Sequence, residues 1–233
     1  MNRRAFLGVL ARGAAVCCTL SAGARAAPAT PRMQAMPTIL LPAPRTQSAY
    51  ALERALRERR SSRHFARAPL TLQEVAQLLW AAQGVTHGQG LRSAPSAGAL
   101  YPLQAYFVAF HVSGLAPGVY RYVPQRHELN LIVHGDVRAQ LAAAALGQSA
   151  VAEAPGVLVL AAVDARSTGK YGARGIAYVE REAGHAAQNV LLQATALQLA
   201  GVPVGAFDDA RVAAALGLAA DERPLYLVPL GRP

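Results

Sequence analysis

Two short stretches hold the residues best suited to chemistry. Arg59, Arg60, Ser61, Ser62, Arg63, His64 and Phe65 put three guanidiniums and two hydroxyls within seven residues. That combination suits a phosphate, because planar guanidiniums hold its oxygens in pairs and hydroxyls add single hydrogen bonds. Pro95, Ser96, Ala97, Gly98, Ala99, Leu100, Tyr101 and Pro102 form a glycine-containing turn with an aromatic. A turn without a side chain at its centre lets a flat ring approach the backbone closely. A phosphate and a flat ring together suggest a flavin nucleotide. Each stretch alone also suits a bland reading, a solvated helix end in one case and an ordinary loop in the other.

The elements that must position these stretches are legible in outline. Ser48 can cap a helix carrying Leu52 and Leu56 on one face and ending at the arginine cluster. Thr71 to Glu74 make a capping box for a helix with Leu72, Val75, Ala76, Leu79 and Trp80 at helical spacing, and Gly84 suits its end. Residues 85–94 read as a loop. Strands are expected over Ala105 to Val112, Val119 to Val123, His127 to Val133, Gly156 to Val163, Val202 to Phe207 and Leu225 to Leu230. The uninterrupted apolar run from Gly156 fits a strand buried on both faces. Helices are expected from Asp136 to Leu146, from Arg181 to Ala200 and from Asp208 to Leu216, with 164–177 as a loop. This order argues for an α+β or mixed α/β domain.

The chain of 233 residues carries a net charge of +10, unevenly spread. Residues 1–26 hold Arg3, Arg4, Arg12 and Arg25 and no acid, and without them 19 basic residues face 13 acidic ones. No basic helix stripe or arginine/aromatic alternation argues for nucleic acid. Arg3 and Arg4 before Phe6 and Leu7, an apolar run from Gly13 to Gly23, and Ala24, Arg25, Ala26 read as a twin-arginine signal peptide over 1–26. The expected destination is the periplasm, reached through the twin-arginine export machinery. Cys17 and Cys18 are the only cysteines, so the mature chain would have no disulfide and no cysteine nucleophile. Proline-rich residues 27–47 read as an extended linker or arm, with the globular domain over 48–233.

With these pieces placed, the chain resembles the nitroreductase-fold flavoproteins, and within them the SagB/ThcOx-type dehydrogenases. Seven blocks carry the resemblance in order: Arg59 to Phe65, Leu78 to Gly84, Pro95 to Pro102, Gly118 to Tyr120, Lys170 to Gly172, Glu182 to Asn189, and Pro224 through Gly231. It implies a mainly antiparallel central sheet flanked by helices, and a homodimer with FMN at each of two interface sites. It also implies an FMN-dependent oxidoreductase moving hydride through flavin N5. The implied phosphate ligands are Arg59, Arg60, Ser61 and Arg63, joined by Arg232 unless that residue belongs to a frayed tail. Pro95, Ser96, Gly98 and Tyr101 would lie near the ring, Tyr101 lining the substrate side or packing into the core. Val204, Gly205 and Ala206 would bring backbone N–H groups toward N5.

Lys170 and Tyr171 are the implied catalytic pair, positioned to move the proton lost as hydride leaves. The alternative is a solvated lysine beside a loop tyrosine. Glu182 and His185 lack the further ligands a metal site needs, so no metal is expected, and His185 reads as a buried hydrogen-bonding residue. The expected substrate is a small molecule or modified peptide that is oxidised. An NAD(P)H-dependent reductase and a non-catalytic flavin- or ligand-binding partner are the alternatives.

Overall fold

The computed structural model describes residues 37–233. The signal-peptide reading and the first part of the proline-rich stretch lie outside the described residues. The strands are β1 (Thr38–Leu40), β2 (Leu70–Thr71), β3 (Leu103–Ala109), β4 (Val112–Ser113), β5 (Gly118–Val123), β6 (Glu128–His134), β7 (Gly156–Ala162), β8 (Ala200–Gly201) and β9 (Arg223–Gly231). The helices are α1 (Leu52–Glu58), α2 (Leu72–Gln83), α3 (Arg138–Ala144), α4 (Ser149–Glu153), α5 (Ala165–Tyr171), α6 (Arg174–Ala196) and α7 (Asp209–Leu216).

Seven strands form one sheet in the order β1-β6-β5-β3-β7-β9-β8, and every neighbouring pair in it is antiparallel. The apolar run of β7 explains its central place. Leu158, Leu160 and Ala162 face the core under α2 and α6, while Val157, Val159 and Ala161 face the core under α3, α4 and α7. Alternating side chains thus bury both faces, and a fully buried Leu or Val contributes about 1.5–3 kcal/mol. The expected α+β architecture, a mainly antiparallel sheet flanked by helices, is the one observed.

Local signals placed several ends. Thr71 Oγ1 accepts from the Glu74 N–H at 3.2 Å and Glu74 Oε2 accepts from the Thr71 N–H at 2.8 Å, completing the capping box of α2. Asp208 caps α7 by accepting from the Arg211 N–H at 3.0 Å.

Elsewhere tertiary contacts overrode the local pattern. Residues 37–47 are an arm laid on the domain, which therefore begins before Ser48. Thr38–Leu40 pairs with β6, Leu41 is buried, and the Gln77 carboxamide bonds both the N–H and the C=O of Arg45 at 2.8 and 3.0 Å. The glycine-containing stretch after Asp164 is helical rather than a loop. α5 is anchored where Arg223 Nε donates to Asp164 Oδ2 at 2.9 Å, and its backbone lies so close to Gly175 that a Cβ there would meet Ser167 C at 2.8 Å. α6 starts at Arg174, well before Arg181, because this packing orders its first two turns. Val202 to Phe207 is not a strand. Pro203 has no N–H for the ladder, so β8 is only Ala200–Gly201, and Val204 alone bridges Leu227 beyond it. Leu52 and Leu56 do share a face of α1, but it points outward, with Ala55 buried instead.

Candidate functional site

The predicted residues fall into two groups. The first gathers along the β8–β9 edge. Ser61 bridges Gly201, the Ser62 N–H donates to Gly201 O at 3.1 Å, and the Ala66 N–H donates to Arg232 O at 3.0 Å. Backbone pairing therefore holds the arginine segment beside Gly201 and Arg232. Arg59 is half-buried, Ser61 and Arg63 are exposed, and their side chains make no hydrogen bond or ion pair among the described residues. Arg60 folds back, donating from Nη1 to the carbonyls of Arg57 and Arg59 at 2.8 Å each. Arg232 is gripped by Glu74, with Nη2 2.9 Å from Oε1 and 3.2 Å from Oε2. The Val204 N–H is spent on Leu227 O at 2.7 Å. Gly205 and Ala206 are exposed, and their N–H groups have no acceptor among the described residues.

The second group surrounds the Pro95–Pro102 turn. Gly98, Ala99 and Tyr101 all have positive φ, at 62°, 53° and 47°. The turn is tied by Ser96 Oγ accepting from the Tyr101 N–H at 2.9 Å. A Cβ built on Gly98 would meet Tyr171 Oη at 2.6 Å and Lys170 Nζ at 2.9 Å. Lys170 and Tyr171, from the last turn of α5, thus converge on the centre of this turn. Tyr171 stands edge-on to Tyr178, with ring centroids 5.2 Å apart, and Lys170 Nζ lies 5.4 Å from the Tyr171 ring centroid. Tyr101 is half-buried, its hydroxyl accepting from the Arg92 N–H at 3.1 Å. No hydrogen bond or ion pair joins the two groups among the described residues.

Beneath the turn lies a polar cluster that sequence reasoning missed. Arg92 Nη1 donates to Gln83 Oε1 at 2.8 Å, and the Arg92 guanidinium sits 4.5 Å over the Tyr101 ring. Glu182, 3% exposed, has a buried Oε1 without a partner, as do Gln83 Nε2 and Arg92 Nε. Burial pushes the Glu182 carboxyl up to about 7, while Ser96 and Arg92 pull it the other way. A sequence signal for it existed: Glu182 stands on the apolar stripe of α6, among Val179, Ala183 and Ala186. His185, expected to be buried, lies on the exposed side of that helix. No group of three or more His, Cys, Asp or Glu gathers as a metal site among the described residues.

Comparisons with known proteins agree with this architecture. The sequence pattern described as "Nitroreductase family" matches residues 56–232. A Methanocaldococcus jannaschii protein with a nitroreductase name is 48% identical over 181 residues, covering 78% of this chain and 90% of that protein. A Ralstonia eutropha structure with a nitroreductase name is 31% identical at a TM-score of 0.74, over 84% of this chain and 89% of that one. An Anabaena variabilis structure so named is 30% identical at a TM-score of 0.75 over 85% of this chain, which spans 42% of that longer protein. Two more distant structures share the fold. They are the microcin synthetase McbBCD complex of E. coli with truncated pro-MccB17 bound (22% identity, TM-score 0.66, 77% of this chain and 72% of that one) and the NADPH:FMN oxidoreductase of Vibrio harveyi complexed with NAD+ (22%, 0.56, 78% and 68%). The matched span takes in both groups of site residues, and on it this chain belongs to the nitroreductase family of oxidoreductases.

Proposed function

We propose that the protein is an FMN-dependent oxidoreductase of the SagB/ThcOx dehydrogenase type, working as a homodimer. The observation that carries this reading is the convergence of Lys170 and Tyr171 on Gly98, at the centre of the turn that the resemblance assigns to the flavin ring. The donor chemistry fits FMN. Arg59, Arg63 and Ser61 have uncommitted donors for its phosphate, whereas Arg60 and Arg232 hold the carbonyls of their own segment and Glu74. Gly205 and Ala206 offer two uncommitted backbone N–H groups for the ring. When bound, FMN supplies a two-electron carrier for hydride. The chain's part is to bind and orient. Lys170 and Tyr171 add a polar path by which the accompanying proton can pass between substrate and solvent.

Pairing of two copies accounts for the separation of the two groups, with one chain supplying the phosphate segment and the other the ring turn. Leu52 and Leu56 are 61% and 53% exposed, beside a groove of about 300 Å³ lined by Trp80, Leu192 and Ala196, as a pairing face requires. The fold shared with a synthetase complex holding a truncated pro-peptide is consistent with a modified-peptide or small-molecule substrate. Export through a twin-arginine signal would place the protein in the periplasm, where nicotinamide cofactors are scarce. Substrate oxidation, with electrons passed on to oxygen, a quinone or a partner, follows from that placement.

The test is the absorption spectrum of the purified protein, followed by anaerobic mixing with NADH and NADPH. Flavin absorption with slow bleaching by both is expected. Rapid bleaching by either would make it a nicotinamide-dependent reductase instead. A flavin that every reductant leaves oxidised would mark a binding partner without turnover. A colourless protein that cannot be reconstituted with FMN overturns the reading.

A further inference from the structure

A cleft of about 330 Å³ is lined by Arg92, Arg121 and Arg166 with Gln104, Tyr122 and Asn130, and Arg92 and Arg166 connect it to the Gly98 turn by contacting Tyr101. Its three arginines come from the loop after α2, from β5 and from α5, so no local pattern announces them. Each has one short bond to a neutral acceptor: Arg92 to Gln83 Oε1 at 2.8 Å, Arg121 to Gln104 Oε1 at 2.9 Å, and Arg166 to Tyr101 O at 2.9 Å. No carboxylate lines the cleft among the described residues. Two acids stand behind its wall. Glu182 faces Arg92, and Glu222 lies 3.8 Å from Arg121 with its other oxygen accepting from Tyr106 and the Ala219 N–H. Arg166 has no ion pair among the described residues. Burial pushes the Arg92 guanidinium's pKa down; Glu182 and Tyr101 oppose this and the nearby Arg166 charge adds to it, so the two guanidiniums are within reach of each other.

Like charges gathered at a concave surface lose their mutual repulsion when an anion enters, and guanidiniums with spare N–H groups bind planar or tetrahedral oxyanions. We propose that this cleft is an oxyanion subsite, taking a carboxylate or phosphate carried by the molecule that reacts at the Gly98 turn. Its link to the reacting molecule rests on the function proposed above; the anion site itself does not. Arg166 and Lys170 are one turn apart on α5, about 6 Å along its axis, so an anion held at Arg166 lies within one small molecule's reach of Lys170. The acidic group belongs either to a carboxylic substrate or to a phosphorylated nucleotide.

Isothermal titration of the protein saturated with FMN, using succinate and inorganic phosphate as probes, tests this. Saturable binding near one site per chain is expected, at least tenfold weaker in both Arg166→Gln and Arg121→Gln, with flavin absorption unchanged. Preference for succinate supports the carboxylic source, and preference for phosphate supports the nucleotide. Absence of saturable binding by either probe, or equal affinity in both variants and the parent, overturns the subsite. The titration reads the cleft with or without flavin, so its failure and that of the FMN reading are separate results.

Discussion

Gly98 and Tyr171 are matched so closely that a methyl group on the glycine would lie 2.6 Å from the tyrosine hydroxyl. Gly98 also has φ of 62°, a conformation that costs an L-residue roughly 1 kcal/mol or more. Gly98→Ala therefore strains the turn and displaces Tyr171 and Lys170 together. The expected outcome is a modest fall in melting temperature and a much larger fall in turnover. Parental turnover in a folded Gly98→Ala variant would show that the convergence is not needed.

Lys170 and Tyr171 are tested one at a time. A positioned proton-transfer group typically contributes about 10²–10⁴ in rate. Lys170→Met and Tyr171→Phe should lower kcat by at least about a hundredfold in one case or both, with FMN retention unchanged. Stopped-flow measurement of the reductive step checks this, and a parental rate in both variants would return the pair to the role of surface residues.

The two groups of site residues give a complementation test. Arg59→Glu damages the phosphate segment and Gly98→Trp the ring turn. Each homodimer should be inactive. Random mixing of the two chains should restore about a quarter of the parental activity, because half the dimers are mixed and each holds one intact site. No recovery from demonstrably mixed dimers would place both groups in the same chain's site.

The Glu182 carboxyl titrates near 7 in the folded chain, against an ordinary value of 4.5. Between those values the folded state holds a proton that the unfolded state has released. The contribution of Glu182 to stability is therefore complete below 4.5 and falls as pH rises from there through 7, by about 3 kcal/mol. Glu182→Gln should remove that slope. Urea unfolding on either side of neutrality reads the difference, and equal slopes in parent and variant would show that Glu182 is solvated.

His127 has the opposite sign. Its ring bridges the arm and the sheet, with Nε2 2.9 Å from Pro42 O and Nδ1 2.8 Å from the Tyr122 hydroxyl. Since a carbonyl only accepts, Nε2 carries the proton and Nδ1 accepts from Tyr122. Burial pushes the His127 pKa down from 6.5, so the neutral ring that accepts from Tyr122 is favoured at neutral pH; acid that charges Nδ1 removes this acceptor and loosens the ring that holds Pro42, although Nε2–H still donates to Pro42 O. Proteolytic cutting within residues 41–47 should speed up as the pH falls below 6.5, and Tyr122→Phe should shift that onset.

Much of the fold followed from local chemistry. Thr71 and Glu74 cap α2 because their side chains reach backbone N–H groups three residues away. The run Gly156–Ala162 had to lie inside the sheet because both its faces are apolar. The arginine segment and the Pro95–Pro102 turn are visible as residue types, and it is the order of seven such blocks along the chain that carries the resemblance to a known fold.

What only the tertiary structure decided is which residues meet. Lys170 and Tyr171 reach Gly98 because Arg223 anchors α5 and Gly175 lets it pack against α6. Arg92, Arg121 and Arg166 share a cleft, and Glu182 is buried below the turn, by the same kind of long-range packing. Capping, alternation and turn chemistry act over a few residues, so the sequence by itself determined the capped start of α2 and the two buried faces of β7, but not α5, the short β8 or the outward face of α1. Contacts between distant segments depend on how the whole sheet and its two helical layers close. Only that closure could set the charge, burial and spacing of the site.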